Sequence, residues 1–225
     1  MTTLNCYKAD ASLVAAHDEA YGYILGALRS GKYRAGERLV ADNIATEIGT
    51  SRMPVREALR RLAAEGLVTI KANRGVTAAA PNVQEMNEVF EMRAVLEGLA
   101  VRMAVPHLTA DDLRHLEQLL EAMEPHSENQ ADWTTVHRNF HELLCAKSEA
   151  PRLLRQISGL HTVVEPHMRR WASMDNRHVG TREHHDRLLQ VIREGNPLAC
   201  ELAMRKHVLD TLPDLMQALP LAHGP

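Results

Sequence analysis

The chain has 225 residues, 45% of them hydrophobic, enough for two compact domains with separate cores. Its formal net charge of −3 excludes a polycation that holds nucleic acid by bulk charge, and no apolar run approaches the ~18 residues that span a bilayer. The first ten residues, MTTLNCYKAD, lack signal-peptide order, and three cysteines (Cys6, Cys145, Cys200) make no set of pairs, so a reducing, cytoplasmic setting is expected.

Taken in order, residues 1–10 read as a loose arm. A helix follows from about Ala11 to Ser30, with Tyr21, Ile24, Leu25 and Leu28 at i, i+3, i+4, i+7 and Gly31 as its stop. A second helix, Ala41 to Ile48, buries Ile44, Ala45 and Ile48 and stops at Gly49. Ser51 is an N-cap for a third, because its hydroxyl can accept a bond from an orphan N–H of the first turn. Pro54 falls inside that turn, where its missing donor breaks nothing. Val55, Leu59, Leu62 and Ala63 form the buried stripe of this helix, and Arg52, Arg56 and Arg60 form a ridge beside it. Leu67 to Lys71 reads as a strand, Asn73-Arg74-Gly75 as a turn, and Val76 begins a return strand, giving a two-stranded wing with Arg74 at its tip. The bland alternative for the arginines is a solvated helix face. A helix with cationic side chains near its N-terminus, after a helix and a short turn, is also what a helix-turn-helix lays in the major groove.

The segments GKYRAGERL (31–39), SRMPVREALRRLAAEGLV (51–68) and NRG (73–75) resemble the winged helix of the GntR family of bacterial transcription regulators. That resemblance implies that Arg52 and Arg56 touch bases or phosphates, that Ser51 contacts phosphate, and that Arg74 reaches the minor groove or backbone. Met53 stands where the family often has threonine, which removes a polar contact. The charge distribution agrees: residues 1–80 carry 11 Lys+Arg against 8 Asp+Glu, and residues 81–225 carry 15 against 21.

Ala78-Ala79-Ala80-Pro81-Asn82 reads as a linker, dividing the chain into domains at 1–78 and 84–225 around a connection at 79–83. Beyond it only helices are expected, at 82–105, 109–124, 130–147, 151–172, 179–194 and 197–212, so the fold class is mainly α: three helices and a wing, then an all-α antiparallel bundle. Pro106, Pro125, Ala150-Pro151 and Gly195-Asn196-Pro197 divide the helices, Thr109 with Asp112 caps the second, and Pro213 ends the fold.

In the first helix of this body Arg93 and Glu97 project onto the apolar sector of Met86, Phe90 and Ala100. Charges facing inward must be paired or bound. They are either a structural ion pair, or Arg93 lines a cavity where its guanidinium grips a ligand carboxylate. Among thirteen histidines, His137 and His141 lie one turn apart, the spacing that lets two residues share a metal. His185 and His207 sit on the last two helices, and inward residues of a bundle can converge. The segments FEMRAVLEGLA (90–100), HRNFHELL (137–144), HHDRLLQVI (184–192) and MRKHVLD (204–210) resemble the FCD effector domain of the FadR-like branch of the family, many members of which hold a divalent metal with three histidines and one Asp or Asn. By that resemblance His141, His185 and His207 are the histidines, His184 takes a position often held by glutamate, and His137 replaces the carboxylate or amide. Four histidines suit Zn²⁺ or Ni²⁺ and supply no anionic ligand. Cys145, one turn beyond His141, is either a fifth donor or a small core residue. Trp133, Trp171, Arg155, Arg169 and Arg170 either line the cavity or build a dimer surface.

The implied function is a transcription repressor that binds a palindromic DNA operator as a homodimer, controlled by a small carboxylate at the metal site. One alternative makes the metal itself the signal. A second, a metal-dependent hydrolase or lyase, needs a general base, and Glu142 and Glu183 should point away from the cluster.

Overall fold

In the computed structural model, which describes residues 3–71, 75–123, 130–172 and 181–218, the chain divides into two units, Met1–Ala80 and Pro81–Pro225. The first unit begins with α1 (Thr3–Arg29), which starts eight residues earlier than the periodicity suggests. Nothing in LNCYKADA breaks a helix, so the segment taken for an arm continues the helical backbone. Its buried line is Ala20, Ile24, Ala27 and Leu28, with Tyr21 at the edge. There Tyr21 donates to Glu65 Oε2 at 2.7 Å, and the Arg61 guanidinium lies 3.8 Å from its ring centroid.

Helix α2 (Ala41–Glu47) buries Ile44 and Ala45, with Ile48 half-buried after it. The chain then turns at Gly49, whose φ of +68° is a left-handed conformation that costs glycine little. Helix α3 (Arg52–Ala64) buries Pro54, Val55, Ala58, Leu59 and Leu62; Ala58 rather than Ala63 completes the stripe.

The wing contains β2 (Val68–Lys71) and β3 (Gly75–Ala78), antiparallel with Val68 opposite Ala78 and Lys71 opposite Gly75. A third strand, β1 (Arg38–Leu39), corrects the two-stranded expectation: it pairs with the other edge of β3, giving the order β1-β3-β2. Arg74 lies outside the described residues.

The second unit is helical throughout its described residues. Its first helix, α4 (Val83–Ala104), opens with a reciprocal cap in which Asn82 Oδ1 accepts from Glu85 N at 2.9 Å and Asn82 N donates to Glu85 Oε2 at 2.8 Å. A 3₁₀ turn at Val105–His107 follows, then α5 (Ala110–Ala122), capped the same way by Thr109 and Asp112. Helices α6 (Gln130–Ala146), α7 (Pro151–Ala172), α8 (Thr181–Arg193) and α9 (Pro197–Asp210) complete the bundle. Pro213 does not end the fold: it sits in the first turn of α10 (Leu212–Ala218), where a missing donor is tolerated, and Leu215 of that helix is fully buried.

Helix α4 is the axis of this unit, packing on α6, α7 and α9. It meets α9 closely because residue 98 is glycine. A Cβ there would lie 2.8 Å from Arg205 Cγ and 3.1 Å from the Glu201 carbonyl oxygen. The surrounding core includes Met86, Phe90, Phe140, Leu144, Leu189 and Met204.

Candidate metal centre and DNA-reading face

Helix α6 turns Trp133, His137, His141 and Cys145 onto one buried line, four residues apart. His185 of α8 and His207 of α9 come from across the bundle. One nitrogen from each of His137, His141, His185 and His207 lies within 4.8 Å of the others, and all four side chains are buried. His141 Nε2 and His207 Nε2 stand 3.4 Å apart. Two nitrogens at ~2.0–2.1 Å from one ion and a tetrahedral angle apart would be separated by about 3.4 Å. The ring centroids of His137 and His141 lie 4.6 Å apart, and those of His185 and His207 4.4 Å apart.

Electrostatics keep two of the four rings in ligating form. Burial first, and then the neighbouring imidazoles, push His137 and His207 well below the ordinary histidine range, so both are neutral. Glu97, fully buried, fixes the tautomer of a third ring: His141 Nδ1 donates to Glu97 Oε2 at 2.7 Å, which leaves the Nε2 lone pair facing the cluster. The donor set therefore fits a divalent ion of the zinc type: four convergent imidazole nitrogens, with one ring oriented by a carboxylate behind it.

Arg93 and Glu97 form the ion pair that was one of two expectations, with Arg93 Nε donating to Glu97 Oε1 at 2.9 Å. Burial opposes ionisation of Glu97, but Arg93, His161 and His141 together hold its carboxyl well below the usual range. His161 escaped the sequence reading. Its Nε2 lies 3.0 Å from Glu97 Oε1 without hydrogen-bond alignment, and burial lowers its pKa to about 4. The signal was available, since His161 interrupts the buried line Ile157, Val164, Met168 on α7, as Arg93 and Glu97 interrupt theirs.

Cys145 is buried in the hydrophobic core and contributes to neither group of convergent donors; burial and then Glu97 push its thiol up. Trp133 stacks on His137 at 5.0 Å and so borders the cluster, Trp171 packs on Trp133 at 5.7 Å, and Arg155 is exposed. His184 is half-buried and outside the group. Glu142 pairs with Arg138 and Glu183 with Arg187, and neither joins the donors.

In the first unit Ser51 occupies the N-cap position of α3, with extended backbone, but its side chain makes no capping bond, so the stop-and-start is set by backbone and Pro54. Arg52 is exposed and paired with Asp42 of α2 at 2.7 Å. Arg56 projects from the exposed face, while Arg60 is engaged by Glu57.

A winged helix with a basic second helix, followed in the described residues by a helical body around clustered imidazoles, defines a DNA-binding transcription regulator with a separate helical unit. The chain belongs to the GntR family: the pattern of the bacterial regulatory proteins of the gntR family matches residues 16–77, and that of the FCD domain matches residues 88–210. It is 30% identical over 153 residues to the Nta operon transcriptional regulator of Aminobacter aminovorans, covering 68% of this chain and 72% of that one. It is 26% identical over 215 residues to the transcriptional repressor GlaR of Escherichia coli (strain K12), covering 89% and 96%. Among solved structures, E. coli McbR/YncC is similar with a TM-score of 0.76 at 25% identity, over 90% of this chain and 97% of that chain.

Proposed function

We propose that this protein is a transcription repressor that binds a palindromic operator as a homodimer, and that a small carboxylate acting at a divalent metal, zinc or nickel, in the helical unit controls its affinity for DNA. The observation that carries the sensing half is the convergence of four imidazoles, with Glu97 behind one of them. His137, His141, His185 and His207 would hold the ion, which would supply a Lewis-acidic anchor for a ligand oxygen. Because Arg93 already balances Glu97 and an imidazole ligates without bringing negative charge, two positive charges would be left for the ligand to neutralise. Arg93 binds Glu97 through Nε, so its terminal nitrogens are the donors a ligand carboxylate would use. Ser51, Arg52, Arg56 and Arg74 are the proposed DNA contacts. A ligand shifts operator affinity only by preferring one arrangement of the protein over another, and a coupling of ~1–3 kcal/mol suffices.

The exposed apolar strip on α4 and α9 supports the homodimer: Met92, Val95 and Met103 on one helix, Leu198 and Leu202 on the other. Glu88 and Glu91 flank the strip at one end of α4 and Arg102 stands near the other. A second copy running antiparallel across a two-fold axis would set acid against base while closing the strip on itself.

The test begins with metal analysis of the full chain, followed by operator titrations with and without metal and candidate carboxylates. Operator release by acid only in the metal-loaded protein is the expected result. Release by metal alone would make the ion the signal, a reading that the all-nitrogen donor set favours. His185→Ala should lose metal and His184→Ala should keep it; equal losses would refute this donor set.

A further inference from the structure

Helix α3 carries a residue that neither its packing nor its charge pattern explains. Met53 is 61% exposed, among the most solvent-exposed large apolar side chains in the described residues. At 100° per residue it lies almost opposite the centre of the buried line through Val55, Ala58, Leu59 and Leu62. It therefore points as directly outward as a side chain on this helix can. Its neighbour on that outer face is Arg56, three residues on, while Glu57, four residues on, is occupied by Arg60. The outer face of α3 thus presents one long, flexible apolar side chain beside the exposed Arg56 guanidinium.

Of the base edges in the major groove, only thymine offers an apolar group, its C5-methyl; the other features are hydrogen-bond donors and acceptors. A thioether side chain has nothing to offer those polar edges and is well shaped to cover a methyl. Residues three apart on a helix are displaced by about 4.5 Å along its axis, close to the 3.4 Å step between stacked bases. A helix lying along the groove would therefore set Met53 and Arg56 against neighbouring base pairs.

We propose that Met53 is a specificity-determining residue that reads thymine, packing on the C5-methyl of a thymine next to the base pair contacted by Arg56. This rests on the reading of α3 as the DNA-reading helix. It assigns an A·T pair at a defined place in each half-site of the operator.

The experiment uses the full chain and an operator selected by that chain from a pool of random duplexes. Each thymine is replaced in turn by uracil, which removes the methyl and leaves the hydrogen-bonding edge intact. At one position per half-site the wild-type protein should lose about fourfold in affinity, the factor that burial of one methyl-sized group corresponds to. Met53→Ala, which sits on an exposed site and favours helix, should bind the thymine and uracil duplexes equally. If Met53→Ala keeps the full uracil penalty, or if the wild type is indifferent to uracil everywhere, Met53 does not read thymine. Arg56→Ala separates the two levels: lost operator binding in that variant keeps α3 as reader whatever Met53 does. Wild-type binding by it would overturn the reader assignment and the Met53 proposal together.

Discussion

A carboxylate without solvent contact must find cations or donors, and Glu97 finds them in Arg93 and His141, with the His161 ring beside them. Breaking one side of such a pair leaves an uncompensated buried charge and costs about 3–5 kcal/mol, whereas replacing both sides by apolar groups can be nearly neutral. Arg93→Met should therefore lower stability by roughly that amount, and Arg93→Met with Glu97→Leu should recover much of it. Urea unfolding of the metal-free protein measures both, and an unchanged midpoint in Arg93→Met would show that the pair does not brace the fold. Arg93→Lys keeps the charge beside Glu97 but loses the planar fork. It should leave stability near wild type and weaken the response to a carboxylate, which separates bracing from ligand binding. That these residues face inward was legible in the sequence, because charge interrupted an apolar period. His161 carried the same inward signal, but its meeting with Glu97 was not legible, because that contact spans two helices far apart in the chain.

Among the elements, helix ends carrying their own punctuation could be read from sequence to within a residue or two. Thr109 with Asp112, and Asn196 before Pro197, act through bonds within four residues of each other, so local chemistry determines them. The elements that escaped lack such signals. Strand β1 has two residues, too few to show a period, and exists because β3, nearly forty residues later, offers it an edge. Helix α10 was missed because proline stops one helix and starts another equally well. The crossing of α4 and α9 shows what an element boundary cannot: the helices approach closely only because residue 98 lacks a side chain. Gly98→Val should overpack this crossing and cost about 1–3 kcal/mol. Because α9 also carries His207, metal affinity should fall with it. Gly159→Ala is the control, since a Cβ there meets nothing within 4 Å and reduces chain entropy in the unfolded state. Thermal unfolding and metal titration of the two variants should diverge; matching behaviour would mean that the crossing has room to give.

At the scale of the whole molecule, the described residues contain no helix long and apolar enough to cross a membrane, and the helical unit instead buries polar rings in its centre. Burying neutral imidazoles makes stability depend on pH with a definite sign. The folded-state pKa of His161 is about 4, and those of His137 and His207 are also lowered, all below the unfolded value of ~6.5. Between those limits the unfolded chain binds protons that the folded chain does not, so stability falls as pH drops. His161 alone accounts for about 1.4 kcal/mol per pH unit from ~6.5 down toward its folded value. The denaturation midpoint of chelator-treated protein should therefore decline steeply from pH 6.5 to 4.5, and a flat profile would contradict the burial of these rings in neutral form. His161→Gln should flatten the slope by about one proton.

The edge strand β1 also determines where the first unit stops exchanging with water. Gly36 N donates to the Ala78 carbonyl at 3.1 Å, Ala78 N to the Glu37 carbonyl at 2.8 Å, and Ala79 N to the Leu67 carbonyl at 3.0 Å. The sheet thus clasps its own exit, and the next amide bonds belong to the cap of α4, where Glu85 N finds Asn82 Oδ1 and Met86 N the Asn82 carbonyl. Deuterium uptake should accordingly show two separately opening foldons with an abrupt border, slow through Ala79 and slow again from the cap bonds of Asn82 and Glu85. Proteolysis under native conditions would then be directed to the few residues between them, and cutting there would release a DNA-reading fragment whose last strand is still held on both edges.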